Sequence, residues 1–216
     1  MSVDASDGSS CPPLVGWWRG ENDTQNQVAG APAGVWQANK PSYAAGQLGK
    51  GFNVASGDYV RIPRSEAGAY PYDIDGPITL VAWVAANGWG GRIVDKITAG
   101  KADGYLLDTF QSKLRMIIGN KVVTSTTSLP AANGAFHHLA GVFDGVAVRL
   151  YVDGVLTHTQ PVTPSSAANS LALRLGAASD SSNKLNGVID EAAVFSGALS
   201  DQQIAAIHQL GNGACP

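Results

Sequence analysis

Between residues 135 and 158, apolar and polar positions alternate strictly around two Asp-Gly pairs, Asp144-Gly145 and Asp153-Gly154. Strict alternation is the pattern of a strand with one buried face. Asp-Gly is among the pairs most favoured in two-residue hairpin turns. The segment therefore predicts three antiparallel strands joined by tight turns.

The two faces of this predicted meander differ in character. If Asp144 and Gly145 form the loop, Phe143 lies opposite Val146. One face is then apolar and is predicted to belong to the core: Leu139, Gly141, Phe143, Val146, Val148, Leu150 and Val152. The other face is mixed and could meet solvent or a ligand: His138, Ala140, Val142, Ala147, Arg149 and Tyr151.

The period of two recurs along most of the chain in short runs separated by turn residues. Residues 78–84 are apolar on both faces, which predicts a central strand of a two-layer sandwich. The remaining predicted strands are 14–18, 51–54, 58–62, 92–96, 104–110, 113–119, 121–126, 171–175 and 185–195. The pattern favours an all-β domain.

A helical period appears near the end of the chain. Ser200 and Gln203 form a capping-box pattern ahead of apolar residues at helical spacing, and Gly211 is a typical terminator. We expect one short helix over residues 201–210.

Composition narrows the class of protein. With 216 residues, 26 glycines and only 14% charged residues, the chain is typical of one β domain rich in turns. We interpret residues 1–10 as a linker and residues 11–216 as the domain. A formal charge of −3 provides no large positive field for nucleic acid, and no run of about 18 apolar residues predicts membrane insertion.

The two cysteines lie near opposite ends of the chain. Chain termini of a domain often lie close together, so a disulfide between Cys11 and Cys215 is our hypothesis. Such a bond indicates an oxidising compartment and an exported protein. The alternative is a pair of free thiols near frayed ends.

Several motifs resemble one family. The run FHHLAGVFDGVAVRLYVDGVL resembles the W-x-H-V-A-x-x-Y-D-G and V-x-L-Y-V-D-G motifs of laminin-G-like domains of the concanavalin A-like lectin/glucanase superfamily, with Phe136 replacing the usual Trp. GKGFNVASGDYVRIP and LNGVIDEAAVF resemble further motifs of that family. The resemblance implies a two-sheet antiparallel jelly-roll sandwich with one short C-terminal helix.

A calcium site is a further expectation. The loop after the first strand contains Glu21, Asp23 and Asn26, which offer the oxygen ligands that calcium takes but which also occur in ordinary turns. The resemblance implies a structural calcium held by Glu21, Asn26 and Asp190. Alternation places either Asp190 or Glu191 toward the core, where a carboxylate needs a partner. A buried salt bridge to an arginine is the alternative.

Candidate ligand contacts lie on the strands and loops that follow residue 84. Trp89 lies among Gly and Asn, so its ring is either a platform for stacking on a sugar or a cover folded back over the sandwich edge. Arg92, Tyr105, Asp108 and Arg115 are candidate polar contacts for the same ligand.

Catalytic motifs are missing from the sequence. The pair Asp190-Glu191 lacks the E-x-D-x-x-E spacing of the superfamily's glycoside hydrolases. A polysaccharide lyase could use His138, Tyr151 and Arg149. We therefore predict a noncatalytic, lectin-like module that binds an oligo- or polysaccharide, monomeric and secreted or at the cell surface, within a larger protein. The rival is an adhesion or spacer domain that binds protein.

Overall fold

The computed structural model describes residues 10–37, 40–55, 57–64, 69–166 and 169–216. The predicted linker, 1–10, therefore lies almost entirely outside the described residues. In chain order the strands are β1 (Leu14–Trp18), β2 (Val35–Trp36), β3 (Tyr43–Ala45), β4 (Lys50–Asn53), β5 (Val60–Ile62), β6 (Ile78–Ala86), β7 (Gly91–Lys96), β8 (Tyr105–Phe110), β9 (Lys113–Ile118), β10 (Lys121–Thr124), β11 (Phe136–Phe143), β12 (Ala147–Val152), β13 (Val155–Pro161), β14 (Leu173–Leu175) and β15 (Gly187–Phe195). One helix, α1 (Asp201–Leu210), follows.

The strands form two antiparallel sheets. The first has the order β13-β12-β11-β6-β15-β4-β3, with β1 paired to β15. The second has the order β10-β9-β8-β7-β14-β5-β2. Inward side chains of both sheets form one large core, for example Leu80 and Val84 from β6 with Leu107 from β8. This arrangement confirms the predicted two-layer sandwich.

The helix covers part of the outer face of the first sheet. Ile204 and Ile207 pack there with Val81, Val142 and Tyr151 in a second, smaller cluster. All nine residues of β6 are buried, since one face meets the core and the other lies under covering elements. The mixed face of the meander, expected to meet solvent or a ligand, is therefore largely covered, because the sequence pattern of a strand does not record what packs on it.

The bounds and caps of α1 match the prediction. The Ser200 hydroxyl accepts a hydrogen bond from Gln203 N, and Gln203 Oε1 accepts one from Ser200 N at 2.9 Å. Gly211 ends the helix in the left-handed conformation, with φ of 72°.

The β11–β12 hairpin differs from the predicted register by two residues. Phe143 lies opposite Val148 rather than Val146. The connection runs from Asp144 to Val146, and Asp144 Oδ1 accepts hydrogen bonds from the backbone N–H groups of Val146 and Ala147, which stabilise this turn. A shift of two preserves the face of the strand residues, so Leu139, Phe143, Val148 and Leu150 are buried as predicted. Val146 is a correction, because it lies in the turn and is 71% exposed.

The chain ends are joined as the disulfide hypothesis expected. Cys11 and Cys215 are bonded, with their Cα atoms 6.3 Å apart. Within the described residues, the helix is too short and too polar to cross a bilayer.

His138 provides a pH-dependent prediction. It is completely buried beside Trp83 and His208, and burial, followed by the His208 charge, lowers its pKa to about 3 from 6.5. Below pH 6.5, His138 binds a proton in the unfolded chain but not in the folded protein. Its contribution to the free energy of unfolding is therefore fully present above pH 6.5 and is lost as the pH falls toward 3. We expect wild type to lose about 2 kcal/mol between pH 7 and pH 5 relative to His138→Phe.

Denaturant titrations of both proteins across this range measure the difference in slope. Comparing slopes cancels the opposite contribution of Asp95 and Asp190, whose raised pKa values favour folding as the pH falls from 7. Parallel pH profiles for the two proteins would show that His138 titrates normally.

Candidate functional site

Three of the predicted ligand residues form one ionic cluster on the outer face of the second sheet. Asp108 and Arg115 lie opposite each other on β8 and β9. Arg115 Nε is 2.8 Å from Asp108 Oδ1, and Arg115 Nη2 is 2.6 Å from Asp108 Oδ2. Arg92 Nη1 also donates to Asp108 Oδ2. Since the carboxylate is only 2% exposed, it fixes both guanidinium groups in place.

The cluster continues along the sheet. Arg92 Nε lies 3.2 Å from Asp95 Oδ2. Arg174 on β14 lies opposite Asp95 on β7 in the strand register. Burial raises the pKa of Asp95 to about 7, although the charges of Arg92 and Arg174 act in the other direction. We call Arg115, Asp108, Arg92, Asp95 and Arg174 the charge row. It holds three cations against two carboxylates, so positive charge is in excess.

A hollow of about 300 Å³ opens at one end of the charge row. Its lining includes Asp108, Phe110, Gln111, Arg115, Asn183 and Lys184. The Phe110 residue is 44% exposed, and the Arg115 guanidinium carbon lies 4.3 Å from its ring centroid. A partly open aromatic ring beside rigid polar groups is the combination that saccharide sites use, since sugars present both C–H faces and hydroxyl edges. We call this feature the Phe110 hollow.

Two strained turns border the Phe110 hollow. Gln111 and Ser112, which join β8 to β9, have φ values of 51° and 58°. On the facing loop, Ser181 and Asn183 have φ values of 66° and 47°. Non-glycine residues rarely adopt this conformation, and such strain tends to concentrate at functional sites. The hollow is thus bordered by backbone held in costly conformations.

Trp89 lies next to the Phe110 hollow but does not line it. Its Nε1 donates to Pro130 O at 2.6 Å, and its ring centroid is 6.1 Å from that of His137. The side chain is partly buried against the core. This geometry matches the alternative of a loop tryptophan that covers the sandwich edge, and stacking of Trp89 on a sugar stays a prediction.

Tyr105 is a correction to the predicted set. It is completely buried in the core, and its hydroxyl donates to Tyr72 O at 2.8 Å. Tyr105 and Leu107 share the inward face of β8, whereas Asp108 and Phe110 share the outward face. The same alternation would have identified Phe110, which the sequence analysis missed. Asn183 and Lys184 had no such signal, because they come from an irregular loop.

Two other hollows lie at the opposite end of β6. They measure about 360 and 380 Å³ and share Asp75 and Gly76. Phe143, the aromatic residue that lines the smaller one, is only 4% exposed, and the lining of the larger one includes no aromatic residue. Neither therefore combines an open ring with charged groups as the Phe110 hollow does.

Two of the three predicted calcium ligands contact one turn. Leu48 N donates to Asp190 Oδ2 at 3.0 Å, and Lys50 N donates to Glu21 Oε2 at 3.1 Å. Asp190 is completely buried, and burial raises its pKa to about 7. Among the described residues no lysine, arginine or histidine pairs with Asp190. Its neighbour Glu191 is buried and pairs with Arg19 Nε at 3.3 Å, so the alternative of a buried salt bridge to an arginine is realised at Glu191 but not at Asp190. A buried carboxylate without a countercharge fits a cation.

Asn26 has a different environment. Its Oδ1 accepts from Trp17 N and Val28 N, each at 3.0 Å, and its Nδ2 donates to the Tyr72 hydroxyl at 2.8 Å. Within the ranges that the structure describes, no three His, Cys, Asp or Glu side chains converge in a metal-binding arrangement. A calcium ion would consequently need backbone carbonyls in addition to Glu21 and Asp190.

A bulge in β15 corrects the predicted orientation of the two acidic residues. Asp190 lies opposite Trp83 and Ala193 opposite Val81, so β15 has one extra residue. Glu191 has φ of 51°. Ile189 belongs to the core between the sheets, and the side chains of Asp190 and Glu191 both point away from that core. Glu191 Oε2 instead accepts from Trp17 Nε1 at 2.6 Å and from Gly213 N at 3.1 Å.

The lyase constellation is not assembled at an open surface. His138 and Tyr151 are completely buried, and the Tyr151 hydroxyl donates to Asp201 Oδ1 at 2.6 Å. Arg149 pairs with the same carboxylate at the start of α1. The docked helix α1 therefore covers His138 and Tyr151 and engages Arg149, so these three side chains are not free to act on a substrate at this face.

Comparisons with known proteins agree with this fold. A laminin-G family model, described as concanavalin A-like lectin/glucanases superfamily, matches residues 54–205. The chain belongs to this superfamily. Comparison with curated proteins gives no match.

Solved structures of the laminin-G-like fold resemble the chain over nearly its whole length. Domain 4 of AbnA, a GH43 extracellular arabinanase from Geobacillus stearothermophilus in complex with arabinotriose, has a TM-score of 0.72 at 18% identity, covering 93% of this chain and 100% of that domain. The binding domain of Paraclostridial Mosquitocidal Protein 1 has a TM-score of 0.67 at 13% identity, covering 90% of this chain. A structure of botulinum neurotoxin type C, whose cell entry is dependent upon interaction with two ganglioside molecules, has a TM-score of 0.66 at 11% identity, covering 92% of this chain. The match spans 51% of each toxin chain, about half its length.

Proposed function

We propose that this chain is a noncatalytic carbohydrate-binding module and that the Phe110 hollow is its binding site. The observation that carries the proposal is the half-open Phe110 ring directly beside the fixed Asp108–Arg115 pair. The arabinotriose complex of the AbnA domain and the dependence of the neurotoxin on gangliosides support a saccharide as ligand.

The proposed contacts follow from the chemistry of sugars. The free part of the Phe110 ring packs against the C–H face of one sugar unit. Asp108 and Arg115 then meet its hydroxyl groups from rigid positions, since each already holds the other in place. Gln111 and Asn183 provide amide groups at the border of the same hollow.

Truncation of the aromatic ring tests the site. We expect Phe110→Ala to weaken binding to the best-retained ligand of a saccharide panel about tenfold, because the stacked apolar surface is lost. Affinity electrophoresis against immobilised polysaccharides, followed by calorimetry, measures the change. Val122→Ala is the matched control, since Val122 is another exposed apolar residue of the second sheet, 53% exposed, and does not line the hollow.

Trp89→Ala separates the hollow from the neighbouring loop. A larger loss for Trp89→Ala than for Phe110→Ala would move the site to the loop. A wild-type protein that retains no saccharide at all would favour the rival function, an adhesion or spacer domain that binds protein.

We further propose a structural calcium ion held by Glu21 and Asp190 at the turn between β3 and β4. Calcium would bridge β15 to the loop after β1 and neutralise a buried carboxylate, so its addition should raise the melting temperature by several degrees, with chelator reversing the change. Glu21→Gln should abolish the increment. Asp23→Asn is the matched control, because Asp23 is exposed in the same loop and, among the described residues, its side chain accepts a hydrogen bond from Gln25 N alone. Identical melting curves in calcium and in chelator would contradict the site.

The remaining parts of the proposal concern context. The disulfide supports an oxidising, extracellular location, and the extracellular arabinanase that shares the fold supports the same location. We propose that the module acts as a monomer within a larger protein that acts on or adheres to polysaccharide.

A further inference from the structure

We propose that Asp95 is a positioning residue of the Phe110 hollow. It lies outside the lining of the hollow and acts on a bound saccharide through Arg92, Asp108 and Arg115. This inference rests on the proposed saccharide-binding function and adds a further residue and a pH dependence to the same site. Its basis is an unbroken series of contacts across the neighbouring strands β7, β8 and β9.

The first contact joins Asp95 to Arg92. The Asp95 side chain is 1% exposed, and its Oδ2 lies 3.2 Å from Arg92 Nε. In the described part of the chain, Arg92 is the one basic residue within ion-pair distance of Asp95. Arg92 uses a different nitrogen, Nη1, to donate to Asp108 Oδ2. The Arg92 guanidinium is therefore held from two sides, by a carboxylate on its own strand and by another on β8.

The second contact is an oxygen atom that two arginines share. Asp108 Oδ2 accepts from Arg92 Nη1 and also, at 2.6 Å, from Arg115 Nη2. Arg115 Nε donates to the other oxygen, Oδ1, at 2.8 Å. The attraction of Asp95 for Arg92 Nε limits how closely Arg92 can approach Asp108. Without that attraction the Arg92 guanidinium is free to turn further onto Asp108 and to displace Arg115 Nη2.

The third contact brings the effect to the surface of the hollow. The Arg115 guanidinium carbon lies 4.3 Å from the Phe110 ring centroid, and both side chains line the hollow. A displaced Arg115 would change both the open area of the ring and the direction of the donors beside it. The state of Asp95 therefore reaches the place where the sugar is proposed to stack.

The charge of Asp95 changes within the neutral pH range. Burial raises its pKa to about 7, against the opposing charges of Arg92 and Arg174. The other charged group that faces it is Asp108 on β8, and Arg61 lies beyond Arg174 on β5. The arginines keep their charge throughout this range. Asp95 is consequently mainly ionised at pH 8.5 and mainly protonated at pH 5.5, so saccharide binding should be tighter at the higher pH.

A pH profile of affinity tests the inference. A panel of neutral oligosaccharides that begins with arabinotriose is titrated calorimetrically, and its tightest-binding member serves as the probe, so that no charge on the ligand changes with pH. We expect wild type to bind this probe about fivefold more weakly at pH 5.5 than at pH 8.5, the effect of one misplaced hydrogen bond. Asp95→Asn keeps the shape of the side chain without its charge. The variant should bind at both pH values with the affinity that wild type shows at pH 5.5.

Further variants connect the effect to the proposed contacts. Asp23→Asn removes the same charge from an exposed loop outside the hollow and should keep the pH profile of wild type. Arg92→Gln interrupts the series of contacts, so adding Asp95→Asn to it should not change the affinity further. Melting temperatures of wild type and Asp95→Asn at pH 5.5 should coincide, which shows that the weaker binding does not come from unfolding.

The outcomes separate the two proposals. Parallel pH profiles for wild type and Asp95→Asn would overturn the positioning role of Asp95 while saccharide binding stands. An undiminished effect of Asp95→Asn in the Arg92→Gln protein would also overturn it. Failure of wild type to bind any member of the panel at either pH would overturn the proposed function itself.

Discussion

Replacement of Cys11 and Cys215 together by alanine is expected to lower the free energy of unfolding by about 2 to 4 kcal/mol. The bond joins residues separated by 204 positions, so its removal lets the unfolded chain expand almost without restriction. A chain-entropy argument for so long a loop gives an upper value of about 5 kcal/mol. Urea denaturation of the oxidised wild type and the double variant measures the loss.

The reductant supplies the control for this experiment. Wild type under strong reducing conditions should unfold at the midpoint of the double variant, and the double variant should be insensitive to the reductant. Because the unfolded chain becomes less compact, the double variant should unfold at a lower midpoint and with a steeper dependence of the free energy of unfolding on urea. Coincident midpoints for oxidised wild type and the double variant would mean that the ends are held by their other contacts alone.

Those other contacts converge on Glu191, and Glu191→Ala is expected to lower the free energy of unfolding by about 3 kcal/mol. Its buried carboxylate accepts from Trp17 Nε1, Gly213 N and, at 3.3 Å, Arg19 Nε. Truncation leaves two N–H groups without an acceptor and opens a cavity in the bulge. Because Trp17 belongs to β1 and Gly213 lies near Cys215, the variant loosens both ends of the chain from β15.

Glu191→Gln is the matched variant for this prediction. It keeps the volume and one acceptor oxygen but loses the charge that Arg19 meets, so we expect a loss of about 1 kcal/mol. Thermal and urea unfolding of the three proteins give the order wild type, Gln, Ala. An alanine variant as stable as wild type would show that the carboxylate contributes no net stability, as some buried charges do.

The elements predicted well are those that depend on neighbours in sequence. The strand β6 was evident from its continuous apolar run, and α1 from its capping box and terminal glycine. Each of these signals comes from residues that are close together in the sequence. The inward and outward faces of β9 followed from alternation alone. Within the candidate site, alternation also placed Arg115 on the outward face of β9, where it pairs with Asp108 of β8.

Other features depended on residues that the chain brings together from far apart. His138 and Tyr151 lie under a helix that starts fifty residues after Tyr151, so their burial left no trace in the local pattern. The donors to the Glu191 carboxylate come from both ends of the chain, and the bulge directs the side chain toward those distant donors. Lys184 reaches the hollow from an irregular loop without any period.

The sequence by itself thus determined most of the strands, where the helix begins and ends, and which side chains of a strand share a face, because these properties follow from backbone geometry over a few residues. It missed β2 and β3, which are two and three residues long and too short to show a period. Only the tertiary structure decided which outward faces remain open. It alone showed that one hollow is lined by Phe110, Asp108, Arg115 and Lys184, whereas Trp89 packs outside it with its Nε1 bonded to Pro130 O. Contacts between residues 70 or more positions apart depend on how the sheets and loops pack.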